Sequence, residues 1–405
     1  RANSSAQATF DSPHSNDCFA IMRHRLLRVT DHVQQGFRTF TAHVAPWSIS
    51  SKVHAKLPVL VNSKVLCGLR DNDNLQLGVP SGRIGNNNPE SRRNRMVHAL
   101  KCVAGAELTP TEASSDLADA ELSHSAGFVH FLKTAFQRWE TELVRDASYV
   151  MPQRQEHADV ALVPFHCVKS ELPRSRGLSA EFACYASDFE TPIFESTAQV
   201  LMEDLGIVAT AADRISRGDR AVYALTTHPG HHAGPSCFSG FCYVNNASVA
   251  CALLEKSGRR PALLDLDFHA GDGSYDIARA HGRWFRSIHC ANSYPWVDMG
   301  TMGIELTPGT NWADGYASAL EKVLAEVPKD TDTLVVSLGY DTLSTDPEAG
   351  KRAGVGLSLL VPDFYAMAAV LARQGLPILV VQEGGYDLER VPLAFSEFVH
   401  GLVSD

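Results

Sequence analysis

The chain predicts a single α/β domain in which a central parallel sheet is flanked by helices on both faces. Three observations carry this expectation. From about residue 221 onward, short runs of Val, Leu, Ile and Ala alternate with helix-length amphipathic stretches. Those apolar runs are nearly continuous, as strands covered on both faces must be. No internal repeat or linker-like segment interrupts residues 56–405, so the chain reads as one large domain despite its 405 residues.

Residues 1–55 stand apart. They hold Arg1, Arg23, Arg25, Arg28, Arg38 and Lys52 against Asp11, Asp17 and Asp31, with no Glu and many Ser, Thr and His. An Arg-rich, acid-poor segment reads either as an organelle transit segment or as a disordered extension. The expected location is accordingly the cytoplasm, or a mitochondrion or plastid if the segment is a transit signal.

The first strand is expected at 57–62, from Leu57-Pro58-Val59-Leu60-Val61, and 68–92 reads as a Gly/Asn/Pro loop. Helices follow at 91–103 and 123–143, the second carrying Phe128, Phe131, Leu132, Phe136 and Trp139 near helical spacing. Residues 144–192 yield only a short strand at 160–165 and a loop at 179–189 bearing Glu181 and Asp188. A long helix at 192–216 opens the regular part. Strands are then expected at 221–226, 262–267, 285–289, 333–338 and 377–382. The intervening helices are expected at 246–256, 275–281, 313–327, 362–374 and 390–403, with loops at 291–311 and 339–356.

Composition narrows the function. A net charge of −10 argues against a duplex nucleic-acid binder, which needs a basic face, and suits a cationic small substrate. The nine cysteines form no C-x-x-C pair and indicate reduced thiols rather than a zinc knuckle or a disulfide framework. No apolar run approaches the ~18 residues of a membrane span. The serine-hydrolase elbow, the P-loop and the dinucleotide glycine fingerprint are missing.

The chemistry gathers at strand ends, where open α/β sheets hold their ligands. The strand at 262–267 runs into Asp265-Leu266-Asp267-Phe268-His269-Ala270-Gly271-Asp272. Asp267 and His269, two apart, share a side and offer an oxygen and a nitrogen to a zinc-like cation. The strand at 333–338 adds Asp341 as a third donor. The strand at 221–226 leads to His228-Pro229-Gly230-His231-His232-Ala233-Gly234, where two adjacent imidazoles can work as base and acid. Asp265 and Asp272 are placed to orient one each. The last strand ends in Glu383-Gly384-Gly385-Tyr386, whose hydroxyl can reach a developing oxyanion. For each of these a plainer reading stands beside it: carboxylates that cap helices, a solvated His pair, a Tyr packed on a surface turn.

Together these motifs resemble the zinc-dependent histone deacetylase superfamily, on the arginase/deacetylase fold. The matching pieces are Pro229-Gly230-His231-His232-Ala233, Ser239-Gly240-Phe241-Cys242-Tyr243-Val244-Asn245-Asn246, Asp265-Leu266-Asp267-Phe268-His269, Ser337-Leu338-Gly339-Tyr340-Asp341-Thr342 and Glu383-Gly384-Gly385-Tyr386. Within the superfamily the chain is similar to acetylpolyamine amidohydrolases and class II-like deacetylases, through 124–132 and 375–386 as well.

The resemblance implies a zinc-dependent hydrolase of acetylated amines, acetylpolyamine first and protein acetyl-lysine second. It implies Zn²⁺ on Asp267, His269 and Asp341, and catalysis by His231, His232 and Tyr386 with Asp265 and Asp272 behind the imidazoles. Gly240, Phe241 and Tyr294 would contact substrate. A structural K⁺ would use Asp265, Asp267 and His269 with Ser287 and Ile288. The expected partners are the acetylated substrate and a second copy in a dimer, with neither nucleic acid nor membrane.

The chain departs from the family at two positions. Ala270 stands where a second His is usual, which narrows the site to one metal. Glu348 stands where lysine deacetylases commonly carry Leu. It reads either as a rim carboxylate for a second cationic nitrogen or as a solvated loop residue. The loop around Glu181 is expected to supply a further acidic contact. A binding protein with an intact but idle pocket is the rival of another class.

Overall fold

The computed structural model describes residues 56–63, 89–100, 103, 105–142, 150–153, 161–164, 166–168, 177–349 and 356–404. The expectations for 1–55, and for most of the loop at 68–92, lie outside these residues.

In chain order the elements are β1 (Leu57–Asn62), α1 (Pro89–Leu100), β2 (Ala106–Thr111), α2 (Ala126–Glu142), β3 (Val150–Gln153), β4 (Ala161–Pro164), α3 (Leu178–Tyr185), α4 (Thr197–Ser216) and β5 (Ala221–Ala224). They continue with α5 (Asn246–Lys256), β6 (Pro261–Asp265), α6 (Asp272–His281), β7 (Phe285–Cys290), β8 (Gly303–Leu306), α7 (Ala317–Ala325), β9 (Thr333–Leu338), α8 (Val361–Ala372), β10 (Ile378–Gln382) and α9 (Val391–Val403). Eight strands form one sheet in the order β2-β1-β5-β10-β9-β6-β7-β8. Every pairing in it is parallel. Strands β3 and β4 form a separate antiparallel pair.

The alternation of side chains along a strand divides the core into two layers. Leu60, Val222, Ala224, Leu263, Val335, Leu379 and Val381 face α2, α4 and α5. Their neighbours Val59, Val61, Tyr223, Leu264, Val336 and Val380 face α1, α7, α8 and α9. Both faces of the sheet are therefore covered, as the apolar runs require.

Several elements differ from the sequence expectation, β3 at Val150–Gln153 among them. Strands β2 and β8 were not anticipated. Both are outermost and only partly buried, so they lack a continuous apolar run, and β2 tolerates Pro110 as an edge strand can. Helix α3 replaces the expected loop at 179–189. It buries Leu178, Phe182, Ala183 and Tyr185 on one face, against Phe131 and Phe238. The helix expected from 313 begins at Ala317, because Gly315 (φ +156°) interrupts the turn before it.

One buried imidazole ties α2 to the polar loops. The His124 ring lies fully inside, its Nδ1 2.7 Å from the Gly234 carbonyl and its Nε2 accepting from the Asn245 N–H at 2.9 Å. This pairing needs a neutral ring with the proton on Nδ1, since a second proton would face the Asn245 donor. Burial pushes its pKa from 6.5 down to about 4. The folded-state value lies below the free one, so this stabilisation is complete above about pH 6.5 and is lost as the pH falls toward 4. Between pH 7.5 and 5.0 the loss attributable to His124 should be about 2 kcal/mol, at 1.36 kcal/mol per pKa unit. Urea denaturation at the two pH values should therefore fall more steeply in the wild type than in His124→Gln. Parallel losses in the two proteins would contradict the assignment.

Candidate active site

The strand order assembles the site. Strand β10, late in the chain, lies between β5 and β9, and β6 is next. The carboxyl ends of four neighbouring strands thus open onto one crevice. A cavity of about 770 Å³ runs into it, with His231, His232, His269, Gly240, Phe241, Tyr294, Glu348 and Tyr386 in its lining.

At the floor, Asp267, His269 and Asp341 place their ligand atoms within 4.8 Å of one another. Strand β6 ends at Asp265 rather than Asp267, so the convergence belongs to the loop that follows it. His269 Nδ1 lies 3.2 Å from both Asp267 Oδ1 and Asp341 Oδ2. A ring nitrogen carries one proton and serves one acceptor. It bonds Asp267, and Asp341 Oδ2 is buried without a hydrogen-bond partner. The remaining carboxylate oxygens are oriented by backbone donors: Asp267 Oδ2 by Gly384 N at 2.9 Å and Asp341 Oδ1 by Phe268 N at 3.1 Å. Glycine is required here, since a Cβ on Gly384 would stand 2.4 Å from Asp341 Oδ2 and one on Gly339 2.0 Å from Asp267 Oδ2. Two carboxylates and one imidazole, with an orphaned oxygen at their centre, fit a divalent cation.

Burial raises the carboxyl of Asp267, but the neighbouring His231 and His269 outweigh it and hold it below the usual range. Burial and the charge of Asp267 push Asp341 up to about 6. For His269, burial is overcome by the contacts to Asp267 and Asp341, and its pKa rises to about 10.

Each imidazole of the His pair faces one carboxylate. His231 Nδ1 lies 3.0 Å from Asp265 Oδ2, and His232 Nδ1 2.7 Å from Asp272 Oδ1. The rings are 4.0 Å apart. Their protonation is pushed in opposite directions, which separates the two roles. Burial disfavours a charge on His231, but Asp267 and Asp265 together raise it well above 6.5. His232 is lowered to about 4 by burial and by the charge on His231. The two imidazoles are thus distinguished by their surroundings, His231 by carboxylates on two sides and His232 by an imidazole neighbour.

Phe241 and Tyr386 face each other edge to face at 6.0 Å, and Tyr294 stands edge-on to His232 at 5.0 Å. Burial pushes the Tyr386 hydroxyl well above its ordinary value, so it remains a donor. Ser287 and Ile288 lie fully buried on β7, with Ser287 in register beside Asp265.

Glu181 does not reach the cavity. It lies on α3 and forms a two-pronged pair with Arg138, at 2.8 and 3.0 Å. Asp188 and Glu190 line the cavity instead. Three carboxylates with positioning roles were not singled out from the sequence, the buried Glu383 and Asp346 and the half-buried Asp188. Glu383 Oε2 accepts from the N–H groups of Gly230 (2.6 Å) and His231 (3.1 Å), which anchors the His loop. Asp346 accepts from Tyr386 N at 2.6 Å and from Glu348 N at 2.9 Å, joining the tyrosine to the rim glutamate. Asp188 holds the opposite wall. Their adjacency to the motifs was the available signal, but their partners are far away in sequence. The grouping of His231, Cys242 and Glu383 also has ligand-like spacing. Its carboxylate is already filled by backbone and Ser337 donors.

The histone deacetylase domain family matches residues 88–402. The acetylpolyamine amidohydrolase of Mycoplana ramosa is 31% identical over 299 residues, 69% of this chain and 81% of the relative. Acetylpolyamine amidohydrolase 1 of Pseudomonas aeruginosa is 31% identical over 300 residues, 66% of this chain and 78% of the relative. Among solved structures, an acetylpolyamine aminohydrolase from Burkholderia pseudomallei superposes with a TM-score of 0.71 at 24% identity, covering 85% of this chain and 98% of its own. That likeness establishes the fold. With the family matched across most of the chain and the cleft built from its motif residues, this protein belongs to the histone deacetylase family.

Proposed function

We propose that the chain is a zinc-dependent amidohydrolase that removes acetyl groups from small acetylated amines, acetylpolyamines above all. The observation that carries this reading is the pairing of a cation-ready floor with an acidic, aromatic mouth. Deacetylases of this family depend on a metal, and two carboxylates with one imidazole suit Zn²⁺. At the mouth, Glu348 and Glu190 stand with Trp296, which is 75% exposed and offers an open aromatic face. Two carboxylates and an indole face attract an ammonium group on the amine side of a substrate. The relatives from Mycoplana ramosa and Pseudomonas aeruginosa bear the acetylpolyamine amidohydrolase name.

Asp267, His269 and Asp341 would hold the zinc, which supplies Lewis-acid polarisation of the acetamide carbonyl and of water. The remaining work falls to the chain itself. Neutral His232, fixed by Asp272, takes a proton from the attacking water and returns it to the leaving nitrogen. His231, fixed by Asp265, is the second imidazole beside the reacting carbonyl and can donate a hydrogen bond there. The Tyr386 hydroxyl donates to the same oxygen. Gly240, Phe241 and Tyr294 confine the acyl group. A structural K⁺ would sit behind this floor, on Asp265, Asp267 and His269 with Ser287 and Ile288.

Asp341→Asn keeps the bond to the Phe268 N–H but removes a charge from the floor. Zinc per chain after dialysis, measured by elemental analysis, should fall at least about tenfold while circular dichroism stays unchanged. Wild-type zinc content in the variant would remove Asp341 from the ligand set.

The activity itself is tested on a panel of acetylated amines and acetyl-lysine peptides. Turnover of N-acetylputrescine by the zinc-loaded wild type, and a loss of roughly 100-fold or more in Tyr386→Phe, are expected. Bound zinc without turnover on any substrate would favour an idle binding protein. Glu348→Leu should move kcat/KM about tenfold or more from acetylpolyamine toward acetyl-lysine peptide. An unchanged ratio would defeat the polyamine assignment.

A further inference from the structure

One half-buried carboxylate has a consistent set of contacts that the chemistry above leaves unused. Asp188 follows a short parallel bridge between Ala186 and Phe238, in which Ser187 N bonds Phe238 O at 3.0 Å and Phe238 N bonds Tyr185 O at 2.8 Å. This bridge sets residue 188 opposite the turn at Gly240 and Phe241. Both turn residues are left-handed, with φ of +56° and +66°. Such a backbone is strained for Phe241 and persists only where its surroundings fix it.

The fixing contacts are specific. Asp188 Oδ2 accepts from the Gly240 N–H at 2.5 Å and from Thr191 Oγ1 at 3.3 Å. Thr191 Oγ1 in turn accepts from the Phe241 N–H at 2.9 Å. The two successive donors of the strained turn are thus taken by one carboxylate and the hydroxyl it orients. The same oxygen accepts from the Tyr294 hydroxyl at 3.4 Å, and Oδ1 accepts from Glu190 N at 3.0 Å. Gly240 also packs closely on His232, since a Cβ there would stand 2.4 Å from the ring.

We propose that Asp188 is a positioning residue that locks the two walls of the acyl tunnel, the Gly240–Phe241 turn and Tyr294, into one rigid frame around His232. The carboxylate touches neither the metal floor nor the His231 and Asp265 pair. Its effect passes through the wall it holds. Because Asp272 orients His232 independently, loosening the wall should cost substrate binding more than chemistry. The inference rests on the reading of the cleft as a substrate tunnel, and its test separates the two.

Hydrogen exchange by mass spectrometry on the full chain reads the frame directly. In Asp188→Ala, amides 240 and 241 should exchange at least about tenfold faster, with those of β6 and β9 unchanged. Asp188→Asn, which keeps an acceptor oxygen, should recover protection to within about threefold of wild type. It also carries the test if the alanine variant does not fold. On N-acetylputrescine, Asp188→Ala should raise KM about tenfold with kcat held within about threefold. Unchanged exchange at 240 and 241, or equal acceleration throughout β6 and β9, would overturn the proposal, as would a loss confined to kcat. A wild type inert on every acetylated amine would defeat the deacetylase reading, and the exchange pattern would then judge Asp188 alone.

Discussion

The constraint on which the rest depends is the burial of four carboxylates at the ends of adjacent parallel strands. Asp265, Asp267, Asp341 and Glu383 are all at most 1% exposed. An ion taken out of water costs several kcal/mol even after relaxation, and like charges held together add to that. The fold tolerates the cluster because it surrounds each carboxylate with donors. Backbone N–H groups of Asp267, Phe268, Gly230 and Gly384 point at them, and His231 and His269 stand between them. What those donors leave unsatisfied is Asp341 Oδ2, the point where a cation fits.

The glycines follow from the same requirement. Gly339, Gly384 and Gly271 lie where a Cβ would collide with a buried carboxylate, at 2.0 to 2.4 Å. At these three positions the chain passes so close to the carboxylates that no side chain fits. The asymmetry of the His pair follows as well. His231 faces Asp265 and Asp267, which raise its pKa, whereas His232 has His231 as its neighbour and its pKa is lowered. In the proposed reaction this asymmetry would let one imidazole stabilise negative charge and the other take a proton.

The motifs were legible because each lies within one loop. The Gly230-His231-His232 run and the Asp265-Leu266-Asp267-Phe268-His269 run place their chemistry a few residues apart, and the strands before them are short apolar runs. Strands β2 and β8 were not legible because edge strands need no continuous apolar surface. Helix α3 was missed because its eight residues give too short a period to register. The loop around Glu181 reaches the cavity through Asp188 and not through Glu181, because a carboxylate near a site looks the same in sequence whether it faces the cavity or Arg138. Asp188 and Asp346 went unnoticed as positioning groups because the amides they hold, Gly240 and Tyr386, lie 52 and 40 positions away.

The sequence by itself determined the layered α/β architecture, the strand ends that carry the chemistry, and the residue types of the metal floor, the His pair and the tyrosine. These are local properties of periodicity and spacing. The tertiary structure alone decided that β10 lies between β5 and β9, so that four strand ends meet over one cation-ready point. It decided which carboxylates face each imidazole and which of the acidic residues open onto the cavity. Each of these depends on long-range proximity and on burial, which sets the energy of a charge and cannot be read from its place in the chain.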